Sequence, residues 1–115
     1  MDDYIIRATA AEGKIRAFAA TTTNLVNEAQ RVHGLYPVPS AALGRAMTGI
    51  LMMAMDMKGK DHTLSLTMKG GGPLGNLVVM ARADGRVKGY VDNPQIELPL
   101  NHKGKLDVGG AIGAQ

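Results

Sequence analysis

Three glycines, Gly70, Gly72 and Gly75, stand at the G-x-G-x-x-G spacing that cradles a pyrophosphate, and they are the chain's strongest hint of chemistry. In a dinucleotide site such glycines follow a strand and open a helix, so that backbone N–H groups and the helix dipole meet the phosphates. Here Asn76-Leu77-Val78-Val79-Met80-Ala81 follows, a strand-forming run, and then Asp84-Gly85, a preferred two-residue hairpin turn. The glycines therefore read as a hairpin connection, and a nucleotide-binding enzyme is the reading they compete with. His33, His62 and His102 show neither the i, i+4 nor the H-x-E spacing of metal ligands. A Ser-His-Asp site would need His62 with Ser40 or Ser65, yet helix capping accounts for Ser40 and strand alternation for Ser65. Asp2-Asp3 and Asp56/Asp61 come nearest to paired carboxylates, and they read as solvated charges at a terminus and around a turn. No catalytic residue and no metal ligand is assigned, and the chain is expected not to be an enzyme.

The elements that would position these residues can be read from periodicity. Strands near 62–69, 76–83 and 86–92 form a three-stranded meander. If Ala83 and Arg86 flank a two-residue turn, Arg82 opposes Val87, Met80 opposes Gly89 and Val78 opposes Val91, while Ala81 opposes Lys88 and Val79 opposes Tyr90. One face then carries Val78, Met80, Val87 and Val91, and the other Leu77, Val79, Ala81 and Tyr90. Both are apolar, so both expect a cover. Upstream, 4–9 and 14–20 form a hairpin around Ala11-Glu12-Gly13, with Ile15, Ala17 and Ala19 alternating against Lys14, Arg16 and Phe18.

Thr21-Thr22-Thr23 supplies caps for a helix near 23–33, with Leu25, Ala29 and Val32 on one stripe and Gly34 as its stop. Tyr36-Pro37-Val38-Pro39 reads as a stiff connector, and Ser40 as the cap of a second helix to about Lys58 with Leu43, Met47, Ile50, Leu51 and Ala54 at core spacing. That helix holds Met47, Met52, Met53, Met55 and Met57, which are either adaptable filler in a helix packed from several sides or a surface for promiscuous apolar binding. The order ββααβββ predicts an α+β fold: an antiparallel sheet built from the hairpin and the meander, with two helices on one face.

With 115 residues the chain has room for one domain with a real core. It contains no cysteine, which excludes disulfides, zinc–thiolate sites and thiol nucleophiles within it. The acidic start MDDYIIRATAAEG is unlike a signal peptide, and no apolar run is expected to reach membrane-spanning length, so a cytoplasmic protein without membrane contact is expected. Thirteen basic residues against ten acidic give a net charge of +3. A basic nucleic-acid-binding module is the alternative this raises. Tyr4, Phe18, Tyr36 and Tyr90 are the only aromatics, however, too few for a stacking platform, and the charges are scattered singly, so no nucleic-acid partner is expected.

The segments SAALGRAMTGILMMAMDMKG, KGGGPLGNLVVMARADGRVKGYVDNP and GKLDVGGAIG resemble the N-terminal core of the 33-kilodalton heat-shock protein family, the redox-regulated bacterial chaperones. The resemblance runs from about Tyr4 to Gly113. It implies an ATP-independent holdase that binds unfolded or aggregation-prone proteins during oxidative stress. It also implies a switch in which four cysteines of a C-terminal domain hold zinc until oxidation releases it and exposes apolar surface. None of those cysteines occurs here, so neither the zinc nor the switch carries over to any residue, and no cofactor is expected. The family's core continues past the position of Gln115, so residues 1–115 are expected to be an N-terminal portion of the chaperone core, without the cysteine/zinc domain. In the family a linker packs over the core sheet. With two helices to cover a two-faced apolar sheet, one face is expected to be bare and to bind a client, a second copy or the missing segment. Val78, Met80, Val87 and Val91 are the client-binding candidates, with Leu77, Val79 and Tyr90 on the alternative face, and a homo-oligomer is expected.

Overall fold

A computed structural model describes residues 2–59 and 61–113. Two strands, β1 (Tyr4–Ala10) and β2 (Ile15–Thr21), lead into helices α1 (Thr23–His33) and α2 (Pro37–Met55). Strands β3 (Thr63–Met68), β4 (Leu77–Arg82) and β5 (Val87–Val91) follow, and a short helix α3 (Val108–Ile112), which periodicity did not reveal, comes last. The α+β order ββααβββ is as expected. The hairpin and the meander are nonetheless two separate antiparallel sheets, β1-β2 and β3-β4-β5.

Helix α1 stops at Gly34, whose left-handed backbone turns its N–H back to Gln30 O. The N-terminal cap is not the expected one. The Thr22 hydroxyl lies 2.7 Å from that of Thr48, and the cap comes from Asp3, whose Oδ1 and Oδ2 accept the N–H groups of Asn24 and Leu25 at 3.0 and 2.8 Å. A carboxylate there also meets the positive end of the helix dipole. Asp3, read from sequence as a solvated charge, thus fastens the first strand to the first helix. On the expected stripe Ala29 is buried and Leu25 partly so, while Val32 faces solvent.

Helix α2 begins at Pro37, ahead of Ser40, because N–H groups in a first turn have no intrahelical acceptor and prolines there forfeit no bond. It ends at Met55 rather than near Lys58. Leu43, Met47, Ile50, Leu51 and Ala54 are buried as their spacing predicts. Contrary to the sequence expectation, this 19-residue helix is long and apolar enough to cross a bilayer. Its apolarity has another destination: α2 packs against α1, α3, β2 and all three strands of the meander. Four of its neighbouring methionines follow that packing, Met47 buried and Met52, Met55 and Met57 half-buried, while Met53 is exposed. The second correction to the architecture follows: α2 is the helix that packs across all three strands of the meander, and α1 packs mainly on α2.

The register of β4 and β5 differs by one residue from the expected one. Arg82 N–H donates to Arg86 O at 2.7 Å and Gly85 N–H to Arg82 O at 3.0 Å, so the connection holds three residues, Ala83-Asp84-Gly85, with Gly85 at φ 99°. Asp84-Gly85 ends a three-residue hairpin loop, in which the left-handed glycine forms a bulge, instead of filling a two-residue one. Val78 therefore opposes Tyr90, Met80 opposes Lys88, Val79 opposes Gly89 and Leu77 opposes Val91. A one-residue slip reassigns every partner to the other face. The inner face is wholly apolar, built from Leu64, Leu66, Met68, Leu77, Val79, Ala81, Val87 and Val91; the outer one carries Thr63, Ser65, Thr67, Val78, Met80, Arg82, Lys88 and Tyr90. Only one face of this sheet is apolar. Gly89 sits under Leu43 of α2, where a Cβ would stand 3.1 Å from Leu43 Cδ1, so the glycine is the socket for the central helix.

Candidate functional site

The glycine loop between β3 and β4 binds the protein's own backbone. Gly72 N–H donates to Ile112 O at 3.0 Å and Leu74 N–H to Ala111 O at 2.9 Å, so α3 is held by main-chain bonds to the loop. A Cβ at Gly70 or Gly72 would run into the carbonyl of Ile112 or Ala111. Gly75 N–H turns to Gly72 O and Asn76 N–H to Asp92 Oδ2 at 2.8 Å. Four of the loop's N–H groups, those of Gly72, Leu74, Gly75 and Asn76, are thus engaged within the protein, and a strand follows the loop where a nucleotide site requires a helix. The neighbouring Asp92-Asn93-Pro94 is the buckle of the same structure: Asn93 Nδ2 donates to Pro73 O, and Pro94 O accepts the N–H of Tyr36 beside the start of α2.

The other polar candidates stay apart. Ser40 Oγ donates to Leu35 O, Ser65 lies on the outer face of β3, His62 precedes β3 beside Gly59, and His33 ends α1. Asp56, at the end of α2, is paired with Arg16 of β2 at 2.8 Å, and Asp2 and Asp61 are exposed. Among the described residues no three His, Cys, Asp or Glu side chains are grouped as a metal would need.

Of the four residues proposed from sequence as one client-binding face, the structure brings together two. Val78 and Met80 lie on the outer face of the meander, whereas Val87 and Val91 point inward and Val91 is only 6% exposed. On the alternative face Leu77 and Val79 are buried and Tyr90 points outward, so the outer face joins one pair from the first set to the tyrosine of the second. Two adjoining depressions, sharing Met80 and Lys88, run along it. One, of about 400 Å³, is lined by Thr63, Arg82, Arg86 and Val87 besides; the other, of about 350 Å³, by His33, Val78, Gly89 and Tyr90.

A second open surface, missed from sequence, is on the hairpin. Pairing of Ile6 with Ala19, Ala8 with Ala17 and Ala10 with Ile15 puts Tyr4, Ile6, Ala8, Ala10, Ile15, Ala17 and Ala19 on one face. Tyr4, Ile6 and Ile15 are 51%, 52% and 58% exposed. The opposite face, which bears the charges, is the one turned toward the protein: Arg7 Nη2 donates to Met55 O at 3.1 Å, and Arg16 meets Asp56. A guanidinium at the last carbonyls of α2 is favourably placed against the helix dipole. The alternation itself was visible in sequence, but Arg7 and Arg16 there look like the solvated side. Ile6 and Ile15, about half in water, each forgo on the order of 1 kcal/mol relative to full burial.

Comparison with known proteins places this chain in a family of chaperones. Residues 3–115 match the model of the Hsp33 protein family. The 33 kDa chaperonin of Acetivibrio thermocellus is 55% identical over 113 residues, 98% of this chain and 38% of the relative; that of Bacillus subtilis is 52% identical over 111 residues, 96% and 38%. The crystal structure of the 33 kDa chaperonin (heat shock protein 33 homolog) from Thermotoga maritima superposes with a TM-score of 0.90 at 37% identity, covering 95% of this chain and 37% of that one. The chain belongs to the Hsp33 family of heat-shock chaperones. It spans 38% of the length of these curated relatives.

Proposed function

We propose that the chain works as the core of an ATP-independent holdase, binding unfolded polypeptide through apolar β-surface and using no cofactor. The observation that carries this reading is the hairpin face of Tyr4, Ile6, Ile15 and four alanines, an apolar strip exposed to water in a chain whose relatives are named chaperonins. Contiguous bare apolar surface binds partners. Val78 and Met80 supply a second contact area on the meander, and self-association through the same surfaces competes with client binding. Residues 1–115 form an N-terminal portion of the chaperone core, and the part of the longer relatives that has no counterpart here would hold any redox switch.

The test is suppression of light scattering from a thermally unfolded client, without nucleotide. The chain is expected to delay aggregation, Ile6→Lys and Met80→Lys are expected to weaken the delay, and added salt to leave it largely intact. A thiol-specific oxidant or dithiothreitol should change nothing, since the chain has no cysteine. No delay at a tenfold excess of the chain would overturn the proposal. Binding lost steeply with added salt would favour the nucleic-acid reading instead.

A further inference from the structure

The outer face of the meander combines two chemistries in one direction along β4. Val78 and Tyr90 form its apolar end, Met80 and Lys88 its middle, and Arg82 and Arg86 its other end. Among the described residues lining the two depressions none is acidic. Asp84, in the adjoining turn, lies 3.3 Å from Arg82 and 3.4 Å from Arg86, so one carboxylate is shared by two guanidinium groups. Arg82 Nε, the nitrogen that faces the Asp84 carboxylate, is closed off from solvent and meets it as an ion pair without a hydrogen bond, so one carboxylate stands against the charges of both arginines. With Lys88 the patch keeps a positive excess, and the side chain of Arg86 is 78% exposed. Thr63, Ser65 and Thr67 add hydroxyl groups along the β3 side.

From this we infer that the outer face binds extended polypeptide segments that carry an acidic residue about four positions from a large apolar one. Residues i and i+4 of an extended chain share a face about 13 Å apart, the span from Val78 to Arg82 on β4 itself. The apolar side chain would rest on Val78, Met80 and Tyr90, and its carboxylate would meet Arg82, Arg86 and Lys88. A peptide suits this bed better than single-stranded nucleic acid, because one tyrosine gives one stacking position while Val78 and Met80 present aliphatic surface. The inference rests on the client-holding proposal and adds a preference to it: acidic-apolar segments before basic-apolar ones.

Fluorescence anisotropy on the full chain tests it, with a labelled twelve-residue peptide that alternates Leu and Asp at the stated spacing and a second peptide with every Asp replaced by Lys. The acidic peptide is expected to bind about tenfold more tightly at low salt, the increment of a few solvent-exposed charge pairs, and the gap to close at high salt. Arg86→Glu and Lys88→Glu, both at exposed positions, should each erase the gap, while Ile6→Lys on the hairpin should leave it in place. Equal affinity for the two peptides, tighter binding of a single-stranded oligonucleotide, or occlusion of the face by a dimer would overturn the inference. Its failure is separable from that of the proposed function. Equal affinities with clients still held would sink only the preference; a peptide preference without client holding would sink only the holdase.

Discussion

The meander and the hairpin are both antiparallel sheets with strands of similar length, yet they meet the rest of the molecule by opposite means. The meander lays an unbroken apolar face on α2, with Leu77, Val79 and Ala81 fully buried, and shows a mixed polar face to water. The hairpin turns a mixed face inward, with Ile5 packing against the core and Arg7 and Arg16 reaching Met55 O and Asp56 at the end of α2, and shows its apolar face to water. Even its turn is unfavourable. Ala11 and Glu12 both have positive φ, 53° and 58°, where a Cβ is costly. The difference teaches that alternation defines the two faces of a strand pair, while the anchors decide which of them turns inward. A free energy of local opening follows the same division, high in the meander and low in the hairpin.

Truncating one large side chain in each region should break the symmetry most clearly. Leu74→Ala, at a fully buried position against the meander, is expected to cost about 3 kcal/mol in denaturant unfolding, and Ile6→Ala on the hairpin less than about 0.5 kcal/mol. Comparable losses would mean that the hairpin face is covered. Gly72→Ala should cost about 2 kcal/mol, because its methyl group meets the Ala111 carbonyl and α3 must retreat; proteolysis at α3 would report the retreat. Asp3→Ala removes the cap of α1 and should cost about 1 kcal/mol, with hydrogen exchange quickening in β1 and the first turn of α1 and unchanged in β3–β5. Ala11→Asn, which suits a left-handed turn better, should slow exchange in the hairpin by less than the equivalent of about 1 kcal/mol and leave global stability alone.

The smallest effect belongs to a control outside both regions. Hydrogen bonds from Arg31, aided by its charge, hold the Glu28 carboxyl below the usual carboxylate range, although the pair is exposed. A lowered folded pKa means that the stabilisation is present above the unfolded pKa and lost as pH falls through the folded one. Glu28→Gln should therefore lower the melting temperature slightly near neutral pH and not at all in acid or in high salt.

Much of the fold was legible because periodicity and end signals agree: the hairpin strands, α1 with its Gly34 stop, and the five core residues of α2 all stand where their patterns put them. What escaped was tertiary. A two-residue and a three-residue loop share the Asp84-Gly85 signature, and the difference of one residue moved Val87 and Val91 from the outer face to the inner. The Asp3 cap joins residues 21 and 22 positions apart, beyond any local rule. The inverted hairpin escaped for the same reason, since Arg7 and Arg16 find their partners 48 and 40 residues away. Helix α3, five residues with two glycines, has too little pattern to be seen before its receiving loop is known.

That loop also sets an order of events during synthesis. The bonds that join Gly72 and Leu74 to Ile112 and Ala111 run from main chain to main chain, across about 40 residues of sequence. On a ribosome the meander strands emerge well before their latch does, so the nascent sheet waits with open donors until α3 is delivered. Because the latch reads backbone, substitutions in α3 are tolerated so long as its carbonyls keep their path, whereas a side chain at Gly70 or Gly72 displaces it. Translation speed through the stretch between β5 and α3 thereby governs how long a nascent chain of this protein is itself a candidate for a chaperone.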